Sequence, residues 1–513
     1  MARLNGYSRC CPMQQQEGDK MEIMRPKVTT QKGTYLGMRE KNGVLAFKGI
    51  PFAQPPVGPL RWQAPREVPN SRKTFDAGAF KPIPMQSKED ERYKGLEKSE
   101  DCLYLNIFTA DLVTKNKPVL IWVYGGAYIK GGASRPLYNG DRMIGENPDV
   151  ILVTVNYRLG VFATLNLSKV DEAGRYRYSN NLAQMDLQAA LKWVHENIAD
   201  FGGNPDNVTL FGHSAGSSNI SAQLMMKDSR PYFKKAIMHS SFAVDVGTTS
   251  WEDSLGAADV FFDILGNPTL DELLNIPAET IYDAQVKLQK SGFFNSERKE
   301  FSVVLDDIVI PKDGFKQLTE GCAAGIDVII GTCCGEYDQQ FRPLSMEEKY
   351  EFLKRQCGKK IGDLDRAIEI YRENNPEKPL DEIYMDIKND LWLRIPANLV
   401  AEALSGHSEV HMFHTMLRKE NGNRAHHGNE YEAIFRHADE ELISPQLAYM
   451  ISRTWMNFVR CGEPKGAGLP EWSLYDKKDR KTMIISKESY VADGVRVRDM
   501  ELFYPLFKET EYL

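Results

Sequence analysis

The amino-acid sequence predicts an α/β fold: one large, mostly parallel central sheet with helices on both faces. Three observations predict it. Pro118 to Tyr124 and Val150 to Asn156 are continuous apolar runs without alternation, the pattern of parallel strands covered on both sides. Strand-like runs alternate with helical periods such as Asp186 to Phe201, where Leu187, Leu191, Val194 and Ile198 share one face. Finally, the strand-formers Val208 to Phe211 run directly into Gly212-His213-Ser214-Ala215-Gly216 and a small-residue helix start. That pattern predicts a sharp strand-to-helix turn with Ser214 at its apex.

Taken in order, Met1 to Met24 are polar, with Gln14-Gln15-Gln16 and Cys10-Cys11, and lack the apolar segment of a secretory signal. They read as a disordered leader, or as an upstream start before Met21 or Met24. From Thr34 to Pro69, short strands separated by Gly and Pro suggest an antiparallel edge and a proline-stiffened connection. Residues Gln86 to Lys98 are charged and aperiodic, which predicts a solvated loop, and Ser99 to Phe108 a strand. Lys235 to Ser240, Asp327 to Thr332 and Val410 to Thr415 continue the sheet, Ser444 to Cys461 is a late helix, and Thr482 to Ser486 a last short strand. Residues 251–300 and 346–394 change the rhythm to helix and read as insertions capping the ligand-binding edge of the sheet. With no internal repeat and no Gly-, Ser- or Pro-rich linker, residues 25–513 are expected to form a single domain.

Composition narrows the function classes. The 513 residues are 42% hydrophobic and 26% charged, which suits a globular protein with ample core. A net charge of -7 and the absence of any Lys/Arg run speak against a nucleic-acid partner. No apolar stretch is long enough for a membrane span. The eight cysteines are scattered without metal-ligand spacing and predict free thiols in a cytoplasmic setting.

A serine hydroxyl needs a base, and nine histidines are available. His195 falls within a surface helix, and His213 is expected to be locked in the turn, facing away from Ser214. His239 ends a strand, and His411 and His414 point along one as buried, satisfied imidazoles. His426-His427-Gly428-Asn429-Glu430 instead follows a strand and a polar loop, where an α/β enzyme places chemistry. His427 is preferred there, because Gly428 gives its ring room. The base needs a carboxylate to hold its tautomer, and after the strand ending at Thr332 either Glu336 or Asp338 can serve, Glu336 lying nearer the strand end. Gly125-Gly126-Ala127 follows a buried strand, so its N–H groups, with that of Ala215, can form an oxyanion hole.

With these parts in order, the chain resembles the type-B carboxylesterase family, the cholinesterase-like branch of the α/β-hydrolases, from about Lys32 to Phe507. The matching motifs are Phe47 to Pro56 with Arg61, Glu100-Asp101-Cys102-Leu103-Tyr104-Leu105-Asn106, Asn156-Tyr157-Arg158-Leu159-Gly160 and Phe201-Gly202-Gly203-Asn204-Pro205. Trp455-Met456-Asn457-Phe458 with Gly462 and Pro464 completes the set. The resemblance implies Ser214 as nucleophile, Glu336 as acid, His427 as base, oxyanion donors at Gly126, Ala127 and Ala215, and Ser240 as a supporting residue near the acid. It also implies structural ion pairs between Arg61 and Glu100 and between Arg158 and Asp186.

The departures are informative. His213 stands where members often carry Glu, and Ala127 replaces a third glycine. Cys102 has no partner cysteine in Lys81 to Gln86. The loop 86–98 lacks the tryptophan that stacks on choline, so choline esters are not the expected substrates. The short-looped microbial carboxylesterases of the para-nitrobenzyl-esterase kind are the nearer likeness. The expected reaction is hydrolysis of a small-molecule carboxylic ester through an acyl-enzyme, with no metal or cofactor, by a monomer or weak homodimer. Alternatives on the same fold are a catalytically silent scaffold domain, or an acyltransferase or a hydrolase of lactones or carbamates.

Overall fold

The computed structural model describes residues 25–244, 247–294, 301–361, 364–495 and 497–507. The expected leader, residues 1–24, lies outside them. The central sheet is built from β1 (Met38–Arg39), β2 (Leu45–Pro51), β3 (Tyr104–Thr109), β4 (Lys117–Val123), β5 (Ile151–Val155), β6 (Gly203–His213), β7 (Lys235–His239), β8 (Asp327–Cys333), β9 (Val410–Thr415), β10 (Thr482–Ile485) and β11 (Tyr490–Ala492). Their order across the sheet is β11-β10-β9-β8-β7-β6-β4-β5-β3-β2-β1. From β5 to β10 neighbours run parallel, while β3, β2 and β1 at one edge and β11 at the other join antiparallel.

The parallel strands explain their own composition. Val119 to Val123 and Ile151 to Val155 have no solvent-facing side, because helices cover both faces. Those helices include α1 (Leu182–Asn197) and α2 (Ala215–Met225), then α3 (Trp251–Leu265), α4 (Leu270–Asn275) and α5 (Ala278–Lys290). Later come α6 (Met346–Ile361), α7 (Leu364–Asn374), α8 (Leu380–Asn389), α9 (Ile395–Ser405), α10 (Asn429–Ile434) and α11 (Pro445–Cys461).

Local chemistry starts and stops several of these helices. Ser250 caps α3 by accepting from the Asp253 N–H, and Gly266 ends it in a left-handed conformation. Thr269 and Glu272 form a reciprocal capping box on α4. α11 has Ser444 as N-cap, proline at its start and left-handed Gly462 after it. Between α8 and α9 a π-helical turn, Asp390–Arg394, carries the chain back toward the sheet.

Two buried ion pairs tie loops to this frame. Arg158 meets Asp186 through Nε at 2.8 Å and Nη2 at 2.6 Å, and its own N–H donates to the same carboxylate. Arg61 grips Glu100 at 2.6 and 2.7 Å, and its Nη1 donates to the carbonyls of Leu273, Leu274 and Ile276. All three side-chain nitrogens of Arg61 are thereby engaged. The loop 86–98 departs from the solvated expectation at two anchors: Gln86 is buried against Gly131, donating to its carbonyl and accepting from its N–H, and Tyr93 is also buried. Cys102, Cys322, Cys333, Cys334 and Cys461 are free thiols. No helix among the described residues is long and apolar enough to cross a membrane.

Candidate active site

Strand register gathers the chemistry at one edge. β4, β6, β7, β8 and β9 are parallel, and the residues after each one emerge side by side at their C-terminal ends. His213 is level with His239, and His239 with Gly331. The Ser214 N–H therefore continues the ladder onto the His239 carbonyl at 2.8 Å, and the Ser240 N–H onto that of Gly331 at 3.0 Å.

Ser214 sits at φ 55°, ψ -130°, between β6 and α2. Its side chain makes no capping hydrogen bond to α2, unlike the N-cap serines of α3 and α11, so the hydroxyl is left for other use. The turn is possible because of what is missing beside it. A Cβ on Gly216 would lie 2.0 Å from the Val123 carbonyl oxygen, and one on Gly125 would lie 2.4 Å from that of His213 and 2.7 Å from the Ser214 Cβ. The loop at Gly125 and the turn at Ser214 are thus in direct backbone contact. Left-handed φ values at Ala127 (54°), Tyr128 (58°), Ser214 (55°) and Ser240 (57°) concentrate strain here, roughly 1–2 kcal/mol for each non-glycine residue. Ala127 keeps its N–H as expected, but the methyl group makes this conformation costlier than glycine would. The N–H groups of Gly126 and Ala127 have no acceptor among the described residues, and that of Ala215 opens α2, where no intrahelical acceptor exists.

Glu336 is buried, with its side chain 1% exposed. It accepts three hydrogen bonds: from the Ser240 hydroxyl at 2.6 Å, from the Cys333 N–H at 2.8 Å and from His427 Nδ1 at 2.6 Å. Those contacts leave the imidazole proton on Nδ1 and turn Nε2 outward. Asp338, the other carboxylate open from the residues alone, is otherwise engaged. Arg424 clamps it through Nε at 2.6 Å and Nη2 at 2.7 Å, and Nη1 of the same arginine binds Asp386 at 2.5 Å. This buried cluster pins the loop that carries His427 to the turn that carries Glu336. Gly335 N–H to the Ala425 carbonyl, 2.9 Å, reinforces the join. The neighbouring histidine, His426, is held by Asn429, which it contacts through Nε2 at 3.1 Å and through its own N–H at 2.6 Å.

His213 makes a contact that its place in the turn did not announce: its ring lies 4.3 Å from the His427 ring and 4.6 Å from Tyr431, centroid to centroid. Burial, first, and then the neighbouring His427 hold its pKa well below the ordinary histidine range, and Nε2 has no hydrogen-bond partner. It is a neutral imidazole packed on the would-be base. Tyr337 stacks on His427 with its ring centroid 5.7 Å away. No hydrogen bond joins Ser214 to His427 in this structure; contacts of this kind are commonly loose before substrate arrives.

His239, His411 and His414 lie on strands of the central sheet. His239 accepts from the Trp455 indole at 3.0 Å, and burial lowers its pKa to about 3. His414 meets Thr332 at 3.1 Å. His411 is buried against Phe458 and Trp472, but both ring nitrogens lack geometric partners, so it is not the satisfied imidazole expected. What the sequence reading missed, the Asp338–Arg424–Asp386 cluster and the His213 contact, joins residues far apart in the chain. Neither carries a short motif that would announce it.

Comparison with known proteins gives a consistent result. A profile of the Carboxylesterase family matches residues 24–503. The chain is similar to the para-nitrobenzyl esterase of Bacillus subtilis (strain 168), 35% identical over 93% of this chain and 98% of that one. Among solved structures it is similar to a PNB esterase, with a TM-score of 0.81, 34% identity, and coverage of 93% of this chain and 100% of that one. It is also similar to a carboxylesterase of Geobacillus stearothermophilus, with a TM-score of 0.82, 30% identity and the same two coverages.

Proposed function

The chain belongs to the carboxylesterase family and is a carboxylic ester hydrolase with the α/β-hydrolase fold, and from that premise we propose that Ser214, His427 and Glu336 are its catalytic triad. The observation that carries the assignment is the chain of contacts from Ser240 through Glu336 to His427 Nδ1, beside a serine held in a strained elbow.

In the first step His427 Nε2 takes the Ser214 proton as Oγ attacks the ester carbonyl carbon. The carbonyl π pair moves onto oxygen, where the N–H groups of Gly126, Ala127 and Ala215 receive it. Each such donor is worth about 3–4 kcal/mol in the transition state. The imidazolium, stabilised by Glu336, then protonates the departing alkoxide, and the alcohol leaves an acyl-serine. Water repeats the sequence from the other side: His427 takes its proton, the hydroxide equivalent adds to the acyl carbon, and Ser214 departs with the proton returned. Ser240 supports Glu336 by donating to the oxygen that does not face His427. No metal or cofactor enters any step.

We read residues 25–513 as one domain with helical segments around 251–300 and 346–394 over the reactive edge, acting as a monomer or weak homodimer. The free thiols, Cys102 and Cys333 among them, support a cytoplasmic setting. An organophosphonate should label one serine stoichiometrically. A tag located by mass spectrometry anywhere but Ser214, or full turnover of para-nitrophenyl butyrate by Ser214→Ala, would remove the assignment.

A further inference from the structure

The wall beside His427 carries an unusual cation. Arg135 closes the loop that begins at Gly125 and is half-buried. Its Nη1 donates to the hydroxyls of Tyr138 at 3.3 Å and Tyr431 at 3.5 Å, and its guanidinium lies 5.4 Å from the Tyr138 ring centroid. Both partners are neutral phenols, whose burial pushes their pKa values further up. Among the described residues no carboxylate forms an ion pair with Arg135. Arg92 and Lys130, on the same loop cluster, share the single carboxylate of Asp90, at 2.5 and 3.6 Å. Glu432, which Arg135 and His426 influence, stays beyond ion-pair distance, and burial drives its carboxyl toward the neutral form. His213, on the elbow side, is neutral and supplies no negative charge.

This cation is close to the reaction centre. Tyr431 touches Arg135 with its hydroxyl and His213 with its ring, and His213 packs on His427. One phenol and one imidazole separate the guanidinium from the base. A half-buried guanidinium with no ion-paired carboxylate among the described residues has already lost part of its hydration, so it gains more from an arriving anion than a surface arginine would. Its planar fork matches a carboxylate, and the two phenol hydroxyls can rotate to donate as well.

We propose that Arg135, with Tyr138 and Tyr431, forms a subsite for an anionic group on the substrate, so that this esterase selects esters carrying a carboxylate on the half that lies against His213. The inference rests on Ser214 and His427 being the reaction centre. It is separable from that reading, because neutral esters test the centre and charged esters test the subsite.

The experiment compares kcat/KM for matched pairs. Para-nitrophenyl hemiglutarate against para-nitrophenyl valerate places the carboxylate in the acyl half. 3-Carboxyphenyl butyrate against its methyl ester places it in the alcohol half. The wild-type enzyme should favour the charged member of one pair, which identifies the half bound. Arg135→Gln should lower that charged-to-neutral ratio by about tenfold to a hundredfold, as for loss of a charge-assisted hydrogen-bonded pair. Arg135→Lys should retain part of the preference, and added salt should weaken it in the wild type. If neither charged ester is favoured by the wild type, or if Arg135→Gln lowers both members of a pair equally, the subsite is refuted and Arg135 only braces two tyrosines. Should Arg135→Gln fail to fold, the wild-type ratios, their salt dependence and Arg135→Lys still decide. Failure of the wild type on every neutral ester would strike the triad assignment instead.

Discussion

Replacing Glu336 by glutamine keeps the carbon skeleton and removes one charge, and the three contacts around the carboxylate set the outcome. The native carboxylate only accepts, from His427 Nδ1, the Ser240 hydroxyl and the Cys333 N–H. An amide cannot do so at both ends. If its oxygen faces His427, its NH2 group points at Ser240 and at the Cys333 N–H, and the latter cannot turn to accept. If the NH2 group faces His427, Nδ1 must accept, the proton moves to Nε2, and that nitrogen can no longer take the Ser214 proton. Either way the imidazolium also loses its counter-charge. A wrong tautomer in an equivalent triad costs about 10⁴-fold in kcat, so Glu336→Gln should lower kcat by about 10³–10⁴, or about 4–5 kcal/mol of transition-state stabilisation. Asp338→Asn is the paired control. It weakens the clamp on Arg424, which is 3% exposed, while Asp386 remains in place, and should cost about 3 kcal/mol of stability with kcat of the folded protein held within about tenfold. Steady-state turnover of para-nitrophenyl butyrate, together with urea unfolding, separates the two effects. Equal losses of kcat in both variants at unchanged unfolding midpoints would refute this division of roles.

Two further outcomes follow from buried groups. Glu430 is 1% exposed, both carboxyl oxygens lack hydrogen-bond partners, and burial followed by the nearby Glu336 raises its pKa to about 8. Since the folded value lies above the unfolded one, its stability contribution is intact below about pH 4.5 and is lost at about 1.4 kcal/mol per pH unit as pH rises toward 8; Glu430→Gln should flatten that part of the unfolding free energy, and an unchanged slope between pH 5 and 8 would count against a buried neutral carboxyl. His213→Glu sets a carboxylate against His427, which favours the imidazolium, keeps the base protonated to higher pH and should move the acidic limb of kcat/KM upward by about one unit; a limb that stays in place would mean that the two rings do not pack together in solution.

How much of this was legible in the sequence depended on whether the signal was local. Periodicity and apolar runs announce strands because burial on two faces acts residue by residue, so the β4 and β5 runs and the α11 helix stand out. The elbow is equally local: Gly125 and Gly216 are written where no side chain fits. The choice between Glu336 and Asp338 was not local. Both follow the same strand, both are buried, and both are ionic partners of a residue on the 417–428 loop. What separates them is which loop residue each meets. That depends on the turn between β9 and α10 bringing Arg424 and His427 to the same strand end three residues apart.

The same reasoning explains why the His213 contact with His427 was not legible. Alternation along a strand assigns a side chain to one face. But the serine itself leaves the extended conformation at φ 55°, so alternation ends one residue earlier than the motif suggests. Past that point the neighbours of a side chain are set by other strand ends, here the loop after β9. His213 packs on His427 there, and the charge around Ser214 has to be argued as a cluster. That cluster holds a neutral imidazole and a carboxylate already occupied by three donors, and Tyr431 links it to a guanidinium with no ion-paired carboxylate among the described residues. Of the three, the guanidinium is the one that carries a full charge without an ion-paired carboxylate among the described residues, so the proposed subsite predicts that selectivity toward charged esters is more sensitive to Arg135 than to any residue of the proposed triad.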